Sequence, residues 1–211
     1  KKAQESKIGE TYVATEDKEI VEDVEKNGGK AILTSKNHKT GSDRIFECFQ
    51  KLNLKDVDYI INLQGDEPNI NVDDLRHLNL LIKKNNVDIG TLASKIKDES
   101  ILKNENIVKV ITNKKIETRN FPLALNFKRI VNKLEKDNAF HHIGIYAYKK
   151  EILEKFVNLK QSKNEIKNKL EQLRATDNDI KINVALAKFS SNGVDTMEDY
   201  LALKKILEYK S

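Results

Sequence analysis

Two aspartate-bearing turns carry the residue types best suited to chemistry. The first is Asn62-Leu63-Gln64-Gly65-Asp66-Glu67-Pro68, where an apolar run ends abruptly in a Gly-Asp-Glu-Pro turn. Gly65 permits a close backbone approach and Pro68 stiffens the exit. A carboxylate at the carboxyl end of a strand can hold Mg²⁺ against a phosphate, because Mg²⁺ takes oxygen ligands and often only one or two carboxylates. An ordinary polar turn with a capping aspartate fits the same pattern. The second turn, Gly193-Val194-Asp195-Thr196, opens a helix with Glu198 and Asp199 behind it. Acids in a first turn suit the helix dipole by themselves, so Asp195 gains chemical meaning only if it meets Asp66 in space.

A third segment, His142-Ile143-Gly144-Ile145-Tyr146-Ala147-Tyr148, alternates in type. Strand side chains alternate faces. Ile143, Ile145 and Ala147 therefore suit a core, while His142, Gly144, Tyr146 and Tyr148 share the opposite face. Polar handles flanking a glycine gap fit a polar ligand, and a solvent-facing strand fits as well. His141 and His142 point opposite ways and do not suit one shared metal. His38-Lys39-Thr40-Gly41-Ser42-Asp43-Arg44 is a Gly-Ser turn that opens a helix, capped by Ser42. It matches no phosphate-loop pattern. In Leu170-Glu171-Gln172-Leu173-Arg174, helical spacing turns the two leucines inward and Glu171 and Gln172 partly outward. Cys48, the single cysteine, sits in a helix without a histidine partner and reads as a small buried residue.

The elements that must position these residues alternate in type. Strands are expected at Tyr12–Ala14, Lys30–Thr34, Val57–Leu63, Ile89–Ala93, Val108–Thr112, His142–Tyr148 and near Lys181–Leu186. Helices are expected at Lys18–Lys26, from Ser42, at Asp73–Lys84 and Lys150–Val157, over about Glu165–Thr176, and at Thr196–Tyr209. This alternation predicts an α/β fold, doubly wound around a mostly parallel sheet, with ligands at the carboxyl ends of strands.

Composition narrows the classes. The 211 residues suit one domain, and 38% hydrophobic against 34% charged reads as a soluble, ordered chain. No apolar run reaches the roughly 20 residues of a membrane span, and one cysteine excludes an internal disulfide framework. The expected setting is reducing and cytoplasmic. The net charge of +5 comes from scattered lysine pairs flanked by acids, not from a basic stretch interleaved with aromatics, so no nucleic-acid partner is expected.

Taken in this order, the motifs resemble the 3-deoxy-manno-octulosonate cytidylyltransferases, or CMP-Kdo synthetases. The likeness runs from Val13-Ala14-Thr15 to Gly193–Asp199 and covers almost the whole chain. It implies a Rossmann-like nucleotidyltransferase fold of the nucleotide-diphospho-sugar transferase type. It implies transfer of CMP from CTP to the anomeric hydroxyl of a 3-deoxy sugar acid, with Mg²⁺ as cofactor, in a homodimer. By position it makes Asp66 and Asp195 the metal carboxylates and sets Gln64, Arg44, Gly41 and Ser42 beside the nucleotide. His142, Tyr146, Glu171 and Gln172 would hold the sugar acid, with Arg129 near them. The family's Pro-containing stretch is replaced after Arg129 by Ile130-Val131-Asn132-Lys133. The family also begins with a strand and a cationic loop that should precede Lys1, so the single domain is expected to lack about 40 residues at its front. A related sugar acid (sialic acid or 8-amino-Kdo) and a chain that binds without turnover are the alternatives.

Overall fold

The computed structural model describes residues 1–188, 193–194 and 197–208. After α1 (Lys2–Ser6), β1 (Val13–Thr15) leads into α2 (Lys18–Lys26). Asp17 caps α2, its carboxylate accepting from the Glu19 N–H at 2.8 Å. The helix ends where Gly28 takes φ 74°, a conformation glycine adopts freely. Then come β2 (Ala31–Leu33), α3 (Gly41–Leu52), β3 (Tyr59–Leu63), α4 (Val72–Asn85) and β4 (Ile89–Ser94). β5 (Lys109–Thr112), β6 (Ala124–Lys128) and the 11-residue β7 (Ala139–Lys149) follow, then α5 (Lys150–Val157), α6 (Lys163–Asn168), α7 (Leu173–Thr176), β8 (Ile182–Leu186) and α8 (Met197–Glu208).

The α/β architecture matches the sequence reading, and its ladders add a feature that the reading lacks. β7 is the spine of the six-stranded sheet: it pairs antiparallel with β3, β4 and β5. β6 pairs antiparallel with β5, and β8 parallel with β4. Hence β3, β4, β5 and β8 share one direction, as a wound sheet requires. Because the reversed β7 lies among them, almost every ladder is antiparallel and the sheet is mixed rather than mostly parallel. β1 and β2 form a separate parallel pair.

Each face of β7 meets its own core. Ile143, Ile145 and Ala147 pack with Leu75, Leu78, Leu81 and Ile82 of α4. Gly90 lets that helix approach, since a Cβ there would stand 2.5 Å from the Ile82 side chain. On the other face Tyr146 and Tyr148 pack with Leu153 and Phe156 of α5, and Ile45 and Phe46 of α3 lie against them. Burying one such apolar side chain contributes about 1.5–3 kcal/mol.

Two local expectations need correction. Thr40, not Ser42, caps α3: its hydroxyl accepts from the Asp43 N–H at 3.3 Å, which frees Ser42 for the interior. The helix expected over Glu165–Thr176 is two short helices, broken where Lys169 takes φ 53°.

Candidate functional site

The site is built on the Tyr-bearing face of β7. The register pairs Asn62 with Tyr146, which continues to set Gln64 beside Gly144. The Gln64 side-chain amide lies against Gly144: a Cβ there would stand 3.5 Å from its Oε1, in ordinary contact. The rings of His142, Tyr146, Tyr148 and Phe156 follow one another along this face at centroid spacings of 5.4, 5.9 and 5.9 Å. Phe127 of β6 meets the His142 ring edge-on at 5.2 Å. The face expected to be polar is therefore polar and buried together: His142, Tyr146, Tyr148 and Asn62 are all buried.

Two elements close over it. The first turn of α3 brings Ser42, fully buried, whose hydroxyl lies 3.1 Å from the Tyr148 hydroxyl. Gly41 packs near Asn62, its missing Cβ 3.6 Å from the amide nitrogen. The break at Lys169 brings Glu171 and Gln172 from the far side. They turn inward, not outward, because the residues belong to the link between two helices and not to one continuous helical face. A buried ion pair clasps this link: Arg174 donates from Nε and Nη2 to Glu165 at 2.9 and 2.6 Å. The guanidinium also lies over the Phe156 ring at 4.8 Å.

Electrostatics mark this cluster as unfinished. Burial raises the Glu171 carboxyl, opposed by hydrogen bonds to Thr40 and Ser42 and by Arg174 nearby. Its Oε1 is buried with no protein partner, and so is the Tyr146 hydroxyl. Burial raises the Tyr146 and Tyr148 phenols, with smaller contributions from nearby charges. His142 is pushed down to about 3, by burial first and by His141 second, so it is neutral at ordinary pH. Buried polar atoms are normally hydrogen-bonded, and orphans aimed into one cluster point to a polar ligand that completes them.

The remaining candidates lie at the margins. Asp66 sits exposed in the turn after β3. Its carbonyl accepts from the Val194 N–H at 2.8 Å, which joins the first aspartate turn to the second. Asp195 itself lies outside the described residues. The approach to this turn is anchored too, since the buried Asp74 carboxylate accepts from the Lys188 N–H at 3.1 Å. Arg44 reaches away from the tyrosine face: it donates to Thr34 at 2.8 Å and pairs with Glu16, tying α3 to the ends of β1 and β2. Arg129 lines a separate cleft of about 740 Å³ between β6, α6 and α7, donating to the carbonyl of Glu105 at 2.9 Å. Among the described residues no group of three His, Cys, Asp or Glu could hold a metal. Cys48 is buried and its thiol is raised by burial, as a structural cysteine should be. Sequence reasoning missed Thr40, Asn62 and Thr91, which reach the cluster only through pairing and capping.

Comparison with known proteins decides the family. Residues 1–182 match the family described as "Cytidylyltransferase". The chain is 43% identical over 209 residues to the 3-deoxy-manno-octulosonate cytidylyltransferase of Thermodesulfovibrio yellowstonii, covering 95% of this chain and 82% of the relative. The chain belongs to the cytidylyltransferases. The enzyme of the same name from Brucella ovis is 39% identical over 199 residues, covering 94% of this chain and 79% of its own length. Among solved structures, a CMP:2-keto-3-deoxy-manno-octonic acid synthetase complexed with CTP superposes with TM-score 0.84 at 31% identity. It covers 97% of this chain and 83% of its own. An apo UDP-glucose pyrophosphorylase superposes with TM-score 0.70 at 15% identity, over 99% of this chain and 84% of that one, which shows the shared fold alone. This cytidylyltransferase is thus a nucleotidyl-transferring enzyme with a Rossmann-like α/β fold. No helix among its described residues is long and apolar enough to cross a membrane.

Proposed function

We propose that this cytidylyltransferase transfers CMP from CTP to the anomeric hydroxyl of 3-deoxy-D-manno-octulosonate, giving CMP-Kdo and pyrophosphate for lipopolysaccharide synthesis. The observation that carries this reading is the buried face with two orphan polar atoms, Tyr146 Oη and Glu171 Oε1, beside a neutral histidine. Such a lining suits a polyhydroxylated ring. The relatives named above carry the Kdo name, and nothing in the site favours sialic acid or an amino-substituted sugar over it.

In this reading His142, Tyr146, Glu171 and Gln172 bind the sugar acid, and Gln64, Gly41 and Ser42 lie toward the nucleotide. Arg44 stiffens the nucleotide side through Glu16 and Thr34, and Arg129 bounds the sugar side from its own cleft. The sugar hydroxyl oxygen forms a bond to the α-phosphorus while the bond from that phosphorus to the bridging oxygen breaks. Pyrophosphate carries away the electron pair, and the hydroxyl proton passes to solvent or phosphate. No protein nucleophile is required, so the residues' task is to hold the hydroxyl in line and exclude competing water.

Hard oxygen donors at the end of β3, with Val194 bonded to Asp66, fit a divalent cation held by one or two carboxylates and phosphate oxygens. Asp66 and Asp195 would hold Mg²⁺, which when bound neutralises charge on the triphosphate. A homodimer and a cytoplasmic setting complete the proposal. Leu125, Ile130, Leu134 and Ile166, exposed around the β6 edge, support the former. The test is pyrophosphate release from CTP, Mg²⁺ and Kdo, together with calorimetric titration of CMP-Kdo. A folded protein that neither releases pyrophosphate nor binds CMP-Kdo overturns the reading.

A further inference from the structure

Thr91 of β4 and His142 of β7 are both buried on the ligand face. A register shift between Thr91 and Leu92 lets Thr91 oppose Tyr146 while Ala93 opposes His142, which brings the threonine hydroxyl to the imidazole. Thr91 Oγ1 stands 3.0 Å from His142 Nε2, 2.7 Å from the Ile145 carbonyl oxygen and 3.4 Å from that of Ile143. A threonine hydroxyl has one proton to give, and carbonyls can only accept. At 2.7 Å the Ile145 carbonyl takes that proton. The hydroxyl then faces the ring with a lone pair, so Nε2 must carry hydrogen. The ring is neutral and holds a single N–H, which leaves Nδ1 bare.

We propose that Thr91 is a positioning residue that locks His142 in the Nε2-protonated tautomer, so that Nδ1 is offered as an acceptor to a hydroxyl of the bound sugar acid. The proposal rests on the assignment of His142 to the sugar site. It adds a selection rule: this position reads a hydroxyl donor and rejects a carboxylate, whose lone pairs would face a lone pair. The acid group of the sugar must therefore be bound elsewhere in the site.

The test combines ring ¹⁵N NMR of the free protein with steady-state kinetics on wild type, Thr91→Ser and Thr91→Val. In wild type and Thr91→Ser the His142 Nε2 should resonate as a protonated, pyrrole-like nitrogen and Nδ1 as a bare, pyridine-like one. In Thr91→Val the two tautomers should mix. The KM for Kdo should then rise about tenfold with kcat nearly unchanged and the KM for CTP untouched, and Thr91→Ser should restore it. A wild-type ring protonated at Nδ1 overturns the proposal even if no valine variant folds. A valine variant that keeps both tautomer and KM overturns it equally. If the tautomer is as stated but wild type neither turns over Kdo nor binds CMP-Kdo, the sugar-site assignment has failed and the threonine lock has not.

Discussion

Removing Glu165 should unfasten the site as well as destabilise the fold. Glu165 and Arg174 are nearly inaccessible, with side-chain exposures of 4% and 3%, and are joined by two hydrogen bonds. Glu165 also accepts from the Ser162 N–H and from Gln161, both at 3.1 Å, so it anchors the start of α6 as well. Glu165→Leu leaves a guanidinium buried without its counter-charge, and losing one member of a buried pair costs about 3–5 kcal/mol. For a domain of this size that is a fall in Tm of about 6–20 °C. The double substitution Glu165→Leu/Arg174→Met buries no lone charge and should recover much of the loss. Acid adds a second signature. Burial works to raise the Glu165 carboxyl, but the Arg174 and Gln161 hydrogen bonds outweigh it, and the folded value is lowered. The contribution of the pair is therefore present above the unfolded carboxyl value near 4.5 and is lost as pH falls through the lower folded value. Urea unfolding at several pH values measures all of this. A single variant costing under about 1 kcal/mol, or a double variant as costly as the two singles summed, would refute the reasoning.

Three further outcomes follow from the same geometry. Tyr146→Phe removes a hydroxyl that has no protein partner, so stability should hold or rise slightly while the KM for Kdo increases; thermal melts beside kinetics check both. Asp66→Asn should lower pyrophosphate release by about 100-fold or more with sugar binding retained, read by calorimetry in the same preparation. Lys109 is fully buried, its ammonium donating to the carbonyls of Asn104 at 2.8 Å, Ile107 at 2.7 Å and Arg129. Lys109→Met should cost about 2–3 kcal/mol in urea unfolding, because those carbonyls lose their donor.

Most element positions were readable because capping residues and periodicity are local signals. Lys18–Lys26 and Lys150–Val157 match to the residue, and the two faces of His142–Tyr148 sort as alternation requires. Strand direction was not readable, since a run of apolar residues looks the same either way; the reversal of β7 is a property of the ladders alone. The break at Lys169 left no trace, because a lysine with positive φ carries none of the warning that glycine or asparagine gives. β6 went unread as a strand: its exposed Leu125 and half-buried Asn126 sit at the sheet edge and blur the alternation. The site residues were found through the resemblance more than through pattern. Thr40 and Thr91, in contrast, belong to it by hydrogen bonds between segments far apart in sequence.

The place of β7 also sets an order of events in synthesis. β3, β4 and β5 are all made before it, and none of the three pairs with another in the finished sheet. Until residue 149 has left the ribosome β3 and β4 have no ladder to join and β5 has only β6, so their unsatisfied edges can only wait or pair wrongly. The strand that carries the histidine and tyrosines is thus also the one that ends this vulnerable interval. A nascent chain stalled at residue 138 should be protease-sensitive and prone to aggregate. One stalled far enough on to release β7 should acquire protection across β3 and β4 in a single step.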